Sequence, residues 1–589
     1  MTDLTFRVAG QAGQGIQAIS TTLGRLLARA GYHVLVSQDL MSRIRGGHNF
    51  SSIRVSDALV HAPAELVNVL VALDEQSLSL QLPSLVPGGV AMFDTDDPGT
   101  TTLPTDSGAT LFPVPMARLA RDIGRNPVML NAVALGALMY LTDYPLEQLK
   151  IMFQETFAAK GGQVVQANVA CARAGFDHAR QHFKAGCPCR IPLRSETPET
   201  LKPGTSQRRL FLTGNEAIAL GAICSGVKFH SGYPMSPSTP IMEFLAAQGK
   251  EYGIVVEQTE DEIGGINMAL GASYAGVRAM TATSGGGFAL MVEGLGLSGI
   301  SETPIVIVIC SRPGPATGFP TRTEQADLLF ALHAGQDEFP RFVFAPGTAE
   351  QAFYLTGKAF DLSRRYQVPA IVLSDQFLSD SYSTIDDLKP ENLRVGNPAA
   401  PCSLPAGSYE RYAQTGAGCT PLLPGTPYQT VIAAGHEHSA SGHITESAAD
   451  RIGMMDRRLG KLEPMREELD GMTTHPHSLV HLPTGPLDHL LLCFGSTFGA
   501  VREAVEVLRV QGADVGMLHL SELAPFPAAL LTERAAHARR LVTVEGNATA
   551  QLAQLIHSET RLHVSNSILK FDGRPFTAAD IVRESERLT

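Results

Sequence analysis

The chain has 589 residues, which is too many for one hydrophobic core. Its composition, with 44% hydrophobic and 18% charged residues, is that of an ordinary globular protein and excludes a disordered chain. Its formal charge of −12, with acids scattered along the sequence, argues against a nucleic-acid-binding protein but permits small anionic ligands near local basic residues. No apolar run is long enough to span a bilayer, and the start lacks the layout of a signal peptide. Eight cysteines without a C-x-x-C pair favour free thiols in a reducing cytoplasm and argue against an iron–sulfur cluster held by this chain alone.

The first predicted module, residues 1–184, alternates short apolar runs with helical patterns. Its predicted strands are residues 4–9, 33–39, 67–74 and 88–94. A helix is predicted from the first glycine segment to about Arg29, so the pattern indicates βαβ units on a parallel sheet. Residues 185–206 are rich in Pro, Ser and Thr, which is typical of a linker.

Two glycine segments in this module are candidate anion sites. GQAGQG (10–15) follows a strand and opens a helix, so its backbone N–H groups could hold a phosphate. Its G-x-x-G-x-G spacing differs from the dinucleotide fingerprint. A tight turn without ligand therefore ranks first, an anionic ligand second, and NAD with a ribose contact from Asp39 last. MSRIRGGHN (41–49) places Arg43 and Arg45 beside two glycines, either as a phosphate-gripping loop or as a solvated turn.

The second predicted module covers residues 207–400, with buried strands at 278–284, 304–310 and 369–375. The unbroken apolar run PIVIVIC predicts a central parallel strand covered on both faces. Arg312 follows that strand at its carboxyl end, where open α/β sheets bind ligands, and is either a carboxylate clamp or half of a structural ion pair. SGYPMSPSTP (231–240) predicts a stiff loop that presents Ser236 and leads into a helix.

Four acids crowd the segment 257–262, just before a run of small residues. Thr259 and Glu262 have the T-x-x-E spacing of a capping box, which would give Glu262 a purely structural role. The alternative is that Glu262 points inward, because it shares a helical stripe with Ile266, Ala269 and Ser273. A buried carboxyl there could share a proton with a ligand nitrogen.

The rest of the chain divides into a connection and a third module. From about residue 385 to 484 the sequence is rich in Pro, Gly and Ser without a strong period, so residues 401–484 are predicted as an extended, partly ordered connection. The third module, residues 485–589, has strand, Gly–Ser turn, helix and strand patterns at 487–520 and repeats a strand and a helix at 539–556.

Several long motifs together resemble one known family. GNEAIALGA, GYPMSPST, EDEIGGINMALGAS, TATSGGGFALMVEGLGLS, ETPIVIVICSRPGPATGFPTRTEQAD, VPAIVLSDQ and ILKFDGRPFT resemble the α subunit of 2-oxoacid:ferredoxin oxidoreductases. GQAGQGI, SRIRGGHN and VLVALD resemble the γ module of the same enzymes, here fused ahead of α. The resemblance covers roughly 1–184 and 207–589.

The resemblance implies three α/β modules with mainly parallel sheets. They are a γ-type domain at 1–184, a thiamine-diphosphate pyrimidine-binding domain at 207–400, and a transketolase C-terminal-like domain at 485–589. It implies the interconversion of 2-oxoglutarate, coenzyme A and oxidised ferredoxin with succinyl-CoA, carbon dioxide and reduced ferredoxin. The fused γ–α arrangement and the TGFPTRTEQ loop favour 2-oxoglutarate, while pyruvate and branched-chain 2-oxoacids remain alternatives.

The family's functional residues map onto named positions here. The glutamate that hydrogen-bonds the aminopyrimidine ring of thiamine diphosphate is Glu262, which precedes the I-G-G-I-N run. Pro234, Ser284 and Gly285 are expected beside the same cofactor. The 2-oxoacid is expected on Arg312 and on Ser236, where the family usually has threonine. The candidates for coenzyme A are Gly13, Gly15, Arg43 and Arg45, and no metal ligand is predicted.

The resemblance also implies partners, because the chain lacks the G-D-G…N diphosphate–magnesium motif and the cluster cysteines. The family carries Mg²⁺ and the 4Fe–4S cluster on a separate β subunit, so thiamine diphosphate is expected at an α–β interface in an (αβ)₂ heterotetramer that reduces ferredoxin. Two other hypotheses stay open. One is a non-catalytic scaffold for the β subunit, and the other is an NAD-dependent dehydrogenase.

Overall fold

The computed structural model describes the chain in two compact units. The described residues are 2–43, 46–96, 108–184, 189–192, 209–394, 407, 409–413, 421–472 and 486–587. Unit 1 takes its described residues from Met1–Leu212, Ser381–Asp387 and Thr577–Asp580, and unit 2 from Thr213–Asp380, Leu388–Phe576 and Ile581–Thr589. Within the described ranges, no helix is both long and apolar enough to cross a membrane.

Unit 1 is built on an eight-stranded sheet of order β6-β5-β4-β1-β3-β2-β14-β7. Its strands are β1 (Asp3–Ala12), β2 (His33–Asp39), β3 (Gly46–Ser56), β4 (Val67–Ala72), β5 (Leu85–Asp94), β6 (Thr110–Val114), β7 (Leu210–Thr213) and β14 (Tyr382–Ile385). Its helices are α1 (Ile16–Arg29), α2 (Glu75–Gln81), α3 (Met116–Gly124), α4 (Leu130–Leu141), α5 (Leu146–Phe157) and α6 (Gly162–His182).

The predicted strands and the first helix of unit 1 are confirmed, and β1, β4, β5 and β6 pair in parallel as expected, but the sheet as a whole is mixed. Strand β3 lies between β1 and β2 and runs antiparallel to both. Strand β3 was not predicted from the sequence, because the strand begins with two glycines and contains polar residues. Gly46 and Gly47 have φ angles of 73° and 74°, so they form the entry turn of the strand, where a left-handed conformation favours glycine. The basic glycine loop predicted at 41–49 is thus partly a strand.

Unit 2 contains two sheets, seven-stranded β17-β12-β13-β11-β10-β8-β9 and four-stranded β16-β15-β18-β19. Its strands are β8 (Phe229–Gly232), β9 (Val255–Gln258), β10 (Ala279–Thr283), β11 (Ile305–Ser311), β12 (Phe342–Phe344), β13 (Pro369–Asp375), β15 (Leu487–Phe494), β16 (Val515–Leu520), β17 (Glu522–Ala524), β18 (Ala538–Glu545) and β19 (Asn566–Leu569). Its helices are α7 (Gly214–Cys224), α8 (Thr239–Tyr252), α9 (Glu262–Tyr274), α10 (Gly285–Ser301), α11 (Leu328–His333), α12 (Ala349–Tyr366), α13 (Gln376–Asp380), α14 (Ala448–Leu459), α15 (Leu462–Met472), α16 (Phe498–Val510), α17 (Ala528–Ala535) and α18 (Gln551–Thr560). Helix α19 (Ala578–Glu586) is shared by the two units.

Strand β11 is the central strand predicted from PIVIVIC. All of its residues, Ile305–Ser311, are buried, and it pairs in parallel with β10 and β13. Helices cover both faces of such a sheet, so an unbroken apolar run is what the strand needs. The carboxyl ends of β8, β10 and β11 therefore lie along one edge of the sheet, and their following loops leave from that edge.

The third predicted module is joined to the second by strand pairing. Strand β17 pairs antiparallel with β12 of the seven-stranded sheet, so the last two predicted modules form one compact unit. The boundaries of the three modules stay a prediction. The connection contains helices α14 and α15, which its weak period did not reveal. Both make ion pairs with the rest of unit 2, Arg457 with Glu302 and Glu468 with Arg365, and both bury apolar side chains such as Met454 and Met465.

Candidate active site

The candidate site residues of unit 2 lie at the carboxyl edge of the seven-stranded sheet. Gly232 ends β8 and leads into the loop with Ser236, Ser284 follows β10, and Arg312 follows β11. Because β8 neighbours β10 and β10 neighbours β11 in parallel, these three chain segments are adjacent. This is the edge at which open α/β sheets bind ligands.

Glu262 is the first residue of helix α9, and its role differs from the predicted capping box. The N-cap is Asp261, whose carboxylate accepts a hydrogen bond from the backbone N–H of Gly264 at 2.7 Å. The Thr259 hydroxyl donates to the Asp261 carbonyl at 2.8 Å instead of capping the helix. The capping-box prediction is therefore wrong, because the neighbouring aspartate is better placed to cap the helix. Glu262 therefore takes no part in capping the helix.

The alternative interpretation of Glu262 as an inward-pointing residue is confirmed. Only 5% of Glu262 is exposed, and Ile266 and Ala269 on the same stripe are fully buried. The Glu262 carboxylate makes no hydrogen bond or ion pair with any residue that the structure describes. A Cβ atom on Gly287 of helix α10 would lie 2.5 Å from Glu262 Oε1 and 2.1 Å from the Thr283 hydroxyl oxygen. Glycine at 287 therefore makes room for the carboxylate.

The predicted cofactor residues Pro234, Ser284 and Gly285 lie at the start of helix α10 and in the loop beside it. The Ser284 hydroxyl, at the N-cap of α10, donates to the Met235 sulfur at 3.0 Å. This contact holds the loop that contains Pro234 against the glycine-rich start of the helix. A Cβ atom on Gly286 would lie 3.4 Å from the Met235 methyl carbon, so small residues permit the approach. Sequence reasoning did not single out Met235 or Gly287.

The two predicted substrate residues are brought into contact. Arg312 Nη1 donates to the carbonyl oxygen of Ser236 at 2.7 Å, and Ser236 itself is exposed. The helix predicted after this loop is confirmed as α8, with Ser238 at its N-cap. Burial lowers the pKa of Arg312, and the nearby Asp327 opposes that shift, so the guanidinium remains a cation with donors left for a ligand.

Two partly buried aspartates lie at this edge of the sheet, and sequence reasoning missed both. Asp327 lies against Gly285, where a Cβ atom would be 2.4 Å from Asp327 Oδ2. Burial raises the pKa of Asp327, and its Oδ2 atom has no hydrogen-bond partner. Its position directly after the TRTEQ segment was the available signal.

The second of these aspartates is Asp380, at the end of helix α13. Burial raises the pKa of Asp380 to about 7, and the Gln376 amide opposes the shift. Asn215 Nδ2 donates to Asp380 Oδ1 at 3.4 Å and to the Pro237 carbonyl at 2.9 Å. The loop that carries Ser236 is thereby tied to a buried polar pair, which fixes its direction.

The glycine segments of unit 1 lie at the ends of adjacent strands. Gly13 and Gly15 have φ angles of 95° and 83°, and a Cβ atom on Gly15 would overlap the Asn131 side chain. A tight turn is therefore required at this segment, which is compatible both with a turn that binds no ligand and with an anion site. Register pairs Ala12 with Gly46, so both segments lie at the same end of the sheet. Arg43 is exposed there, and Arg45 lies outside the described residues.

Comparison with known proteins identifies the family. The family described as pyruvate flavodoxin/ferredoxin oxidoreductase, thiamine diphosphate-binding, matches residues 220–456. Pyruvate ferredoxin/flavodoxin oxidoreductase matches residues 5–178, and pyruvate:ferredoxin oxidoreductase core domain II matches residues 488–581. The alpha subunit of a 2-oxoacid:ferredoxin oxidoreductase from Sulfolobus is 32% identical over 97% of this chain and 95% of its own length. This chain belongs to the 2-oxoacid:ferredoxin oxidoreductase alpha subunits.

Two further relatives resemble this alpha subunit over its whole length. The 2-oxoglutarate oxidoreductase subunit KorA of Mycobacterium tuberculosis is 29% identical over 99% of this chain and 91% of its own length. A solved 2-oxoglutarate:ferredoxin oxidoreductase from Magnetococcus marinus, with 2-oxoglutarate, coenzyme A and succinyl-CoA bound, has a TM-score of 0.89 and 32% identity, covering 100% of this chain and 99% of that chain. The protein is accordingly an oxidoreductase subunit with an α/β fold of largely parallel sheets.

The residues at the carboxyl edge fit one half of a thiamine diphosphate site. A buried carboxylate without a partner among the described residues, beside a glycine that leaves it room, is a suitable acceptor for a protonated aminopyrimidine nitrogen. When bound, thiamine diphosphate supplies the carbon nucleophile that attacks a 2-oxoacid and stabilises the negative charge left by carbon dioxide. Within the described residues, no group of three or more His, Cys, Asp or Glu is placed to hold a metal ion.

Proposed function

We propose that this alpha subunit, with a β subunit, oxidatively decarboxylates 2-oxoglutarate to succinyl-CoA and carbon dioxide with reduction of ferredoxin, or runs the reverse reaction. The observation that carries the proposal is the buried, unpartnered carboxylate of Glu262 at the same sheet edge as Arg312. The names of the Mycobacterium and Magnetococcus relatives support 2-oxoglutarate as the substrate.

Each residue of the proposed site has one task. Glu262 holds a proton against the pyrimidine nitrogen, and its burial keeps water from competing for that hydrogen bond. Arg312 binds the carboxylate of the 2-oxoacid through its fork of donors, and Ser236 offers a hydroxyl from the loop that Arg312 contacts. Pro234, Ser284 and Gly285 shape the wall beside the ring.

The β subunit is proposed to complete this half-site with Mg²⁺, the cofactor diphosphate and a 4Fe–4S cluster, in an (αβ)₂ assembly. The exposed apolar side chains on the same helices support a protein partner. Ile263 and Met268 of α9, the helix that Glu262 begins, and Leu290 of α10 are 50%, 42% and 50% exposed. Large apolar side chains exposed on the helices of a site favour an interface over free solvent.

Coenzyme A is proposed to bind with its phosphates near Gly13, Gly15, Arg43 and Arg45 of unit 1. The support is that Gly13 has open space on its Cβ side and that the exposed Arg43 lies at the same end of the sheet. A glycine-rich turn that opens a helix presents free N–H groups to a phosphate. The binding of coenzyme A by the Magnetococcus relative is in line with this proposal.

A substrate panel tests the proposed function. The complex reconstituted with its β subunit is assayed by acceptor reduction with 2-oxoglutarate, pyruvate and 2-oxoisovalerate, each with coenzyme A. We expect kcat/KM for 2-oxoglutarate to exceed the other two at least tenfold, which corresponds to about 1.4 kcal/mol of differential transition-state binding. A kcat/KM for pyruvate equal to or above that for 2-oxoglutarate would refute the assignment of substrate while leaving the family unaffected.

Replacing Arg312 by lysine tests the carboxylate clamp. Lysine keeps the charge but loses the bidentate fork, so we expect kcat/KM for the 2-oxoacid to fall on the order of 10- to 100-fold. Arg509→Lys on helix α16 is the matched control, because that exposed arginine lies outside the site. Unchanged kinetics for the Arg312 variant would remove this residue from substrate binding.

A further inference from the structure

A cavity lies in unit 2, at the edge of the seven-stranded sheet opposite to the candidate active site. It has a volume of about 260 Å³ and is lined by residues at the amino ends of β10 and β11, by helix α12 and by residues 421–423. The active-site residues Ser284 and Arg312 follow the carboxyl ends of the same two strands. At a rise of about 3.3 Å per residue, a strand of this length separates the two places by roughly 16 Å.

The charged side chains that line this cavity are all positive. Its lining includes Arg278, Arg364 and Arg411, and none of the described lining residues is Asp or Glu. This is unusual in a chain with a formal charge of −12. Asp361 acts electrostatically on Arg278 from outside the lining, but it is already paired with Arg365 at 2.9 Å. The cavity therefore offers an anion three cations without a competing carboxylate in its wall.

Two of the three guanidinium groups keep donors that the described residues do not use. The Arg364 side chain makes no hydrogen bond or ion pair with any described residue, and Nε of Arg411 is buried without a hydrogen-bond partner. Arg278 donates to the Ser225 carbonyl. Burial, and after it the neighbouring Arg364 cation, lowers the pKa of Arg278, so two like charges face each other. A bound anion would relieve that repulsion.

Arg411 is held in place by aromatic rings and not by an acid. Its guanidinium lies 5.6 Å from the ring centroids of both Tyr274 and Tyr412. Its Nη2 atom also contacts the Glu302 carbonyl at 3.3 Å. A guanidinium fixed in this way loses little conformational entropy when a ligand binds.

The remainder of the wall is apolar, with Val277, Ile305, Phe360, Leu422 and Leu423 among its residues. Ligand pockets are mostly apolar with a few charged groups that fix orientation, and their volumes start at about 300 Å³. The volume of about 260 Å³ lies just below that range, so the cavity suits a small metabolite and is too small for a whole dinucleotide. We propose that this cavity is a second ligand site, which binds an organic anion whose carboxylate or phosphate group is attached to an apolar chain.

Binding of defined probes to the full chain tests this proposal. Octanoate and octyl phosphate are each titrated into the protein by calorimetry. The controls are 1-octanol, which lacks the anionic head group, and inorganic phosphate, which lacks the apolar chain. We expect at least one of the two amphiphilic anions to bind more tightly than both controls. Octanoate alone would identify a carboxylate site and octyl phosphate alone a phosphate site. The proposal is overturned if neither amphiphile binds more tightly than both 1-octanol and inorganic phosphate.

Arg364→Gln locates the binding in this cavity. The substitution breaks no hydrogen bond or ion pair among the described residues, so the variant is expected to fold and keep its catalytic activity. We expect it to weaken binding of the anion on the order of tenfold or more, since a hydrogen bond to a charged group is lost. Arg509→Gln serves as the control. Unchanged affinity in the Arg364 variant, or loss of binding when the chain assembles with the proposed β subunit, would rule out a ligand site here.

Discussion

Glu262→Gln is expected to lower the turnover of the reconstituted complex roughly 10³-fold, the size of a general acid–base contribution. The amide keeps the size of the side chain, so the space beside Gly287 stays filled in the same way. It cannot take up and return a proton, which the buried carboxylate of Glu262 is placed to do. The measurement is kcat with saturating 2-oxoacid, coenzyme A and acceptor.

The matched control for this variant is Glu260→Gln, two residues earlier. Glu260 is exposed and Glu262 is 5% exposed, so the two substitutions remove the same charge from opposite environments. We expect the Glu260 variant to retain wild-type turnover. Near-wild-type turnover in both variants would favour the alternative hypothesis of a non-catalytic scaffold for the β subunit.

Glu302→Gln is expected to lower the free energy of unfolding of the chain by about 3 kcal/mol, because it removes a buried carboxylate that is the shared counterion of the half-buried Arg457 and Lys461. The Glu302 carboxylate accepts from Arg457 Nε at 2.9 Å and from Lys461 Nζ at 2.6 Å, and its side chain is 3% exposed. These pairs attach helix α14, and Lys461 two residues after its end, to the C-cap of α10. The measurement is denaturant unfolding of the isolated chain near neutral pH.

The effect of Glu302→Gln should depend on pH in a defined direction. Burial alone would raise the pKa of Glu302, but Lys461 and Arg457 outweigh it and hold the pKa below the ordinary value of 4.5. A depressed pKa stabilises the folded chain above the unfolded-state value, and that stabilisation is lost as the pH falls through the folded-state value. The difference between wild type and variant should therefore shrink below about pH 4.5.

Glu463→Gln provides the comparison for an exposed pair. Glu463 is 71% exposed and lies 3.5 Å from Arg466, so its loss should cost less than about 1 kcal/mol. Equal destabilisation by the two variants, or a Glu302 effect that grows on acidification, would contradict the assigned role of the buried ion pairs.

Sequence patterns predicted the parts of the fold that depend on local periodicity. The apolar run 304–310 corresponds to the central strand β11, and the glycine segment 10–15 leads from β1 into α1. Strand β3 was missed because its polar, glycine-led sequence gains stability only from pairing with β1 and β2. Helices α14 and α15 were missed for a similar reason, since tertiary ion pairs such as Arg457 with Glu302 stabilise them.

At the candidate site, sequence alone could nominate Glu262 but could not decide between two roles. The T-x-x-E spacing favoured a cap, and only the coordinates show that Asp261 caps the helix and that Glu262 turns inward. The contacts of Gly287 and Asp327 join residues from different elements, so no local spacing reveals them. The family resemblance selected Glu262, and burial supplies the physical reason for the choice.

The central claim is that Glu262 activates thiamine diphosphate through its pyrimidine ring. Exchange of the thiazolium C2 proton for deuterium, followed by NMR in the assembled complex without 2-oxoacid, measures that activation apart from turnover. The account predicts exchange slowed by two or more orders of magnitude in Glu262→Gln, about 2.7 kcal/mol or more, and wild-type exchange in Glu260→Gln. Wild-type exchange in the Glu262 variant, with the cofactor fully bound, would contradict it.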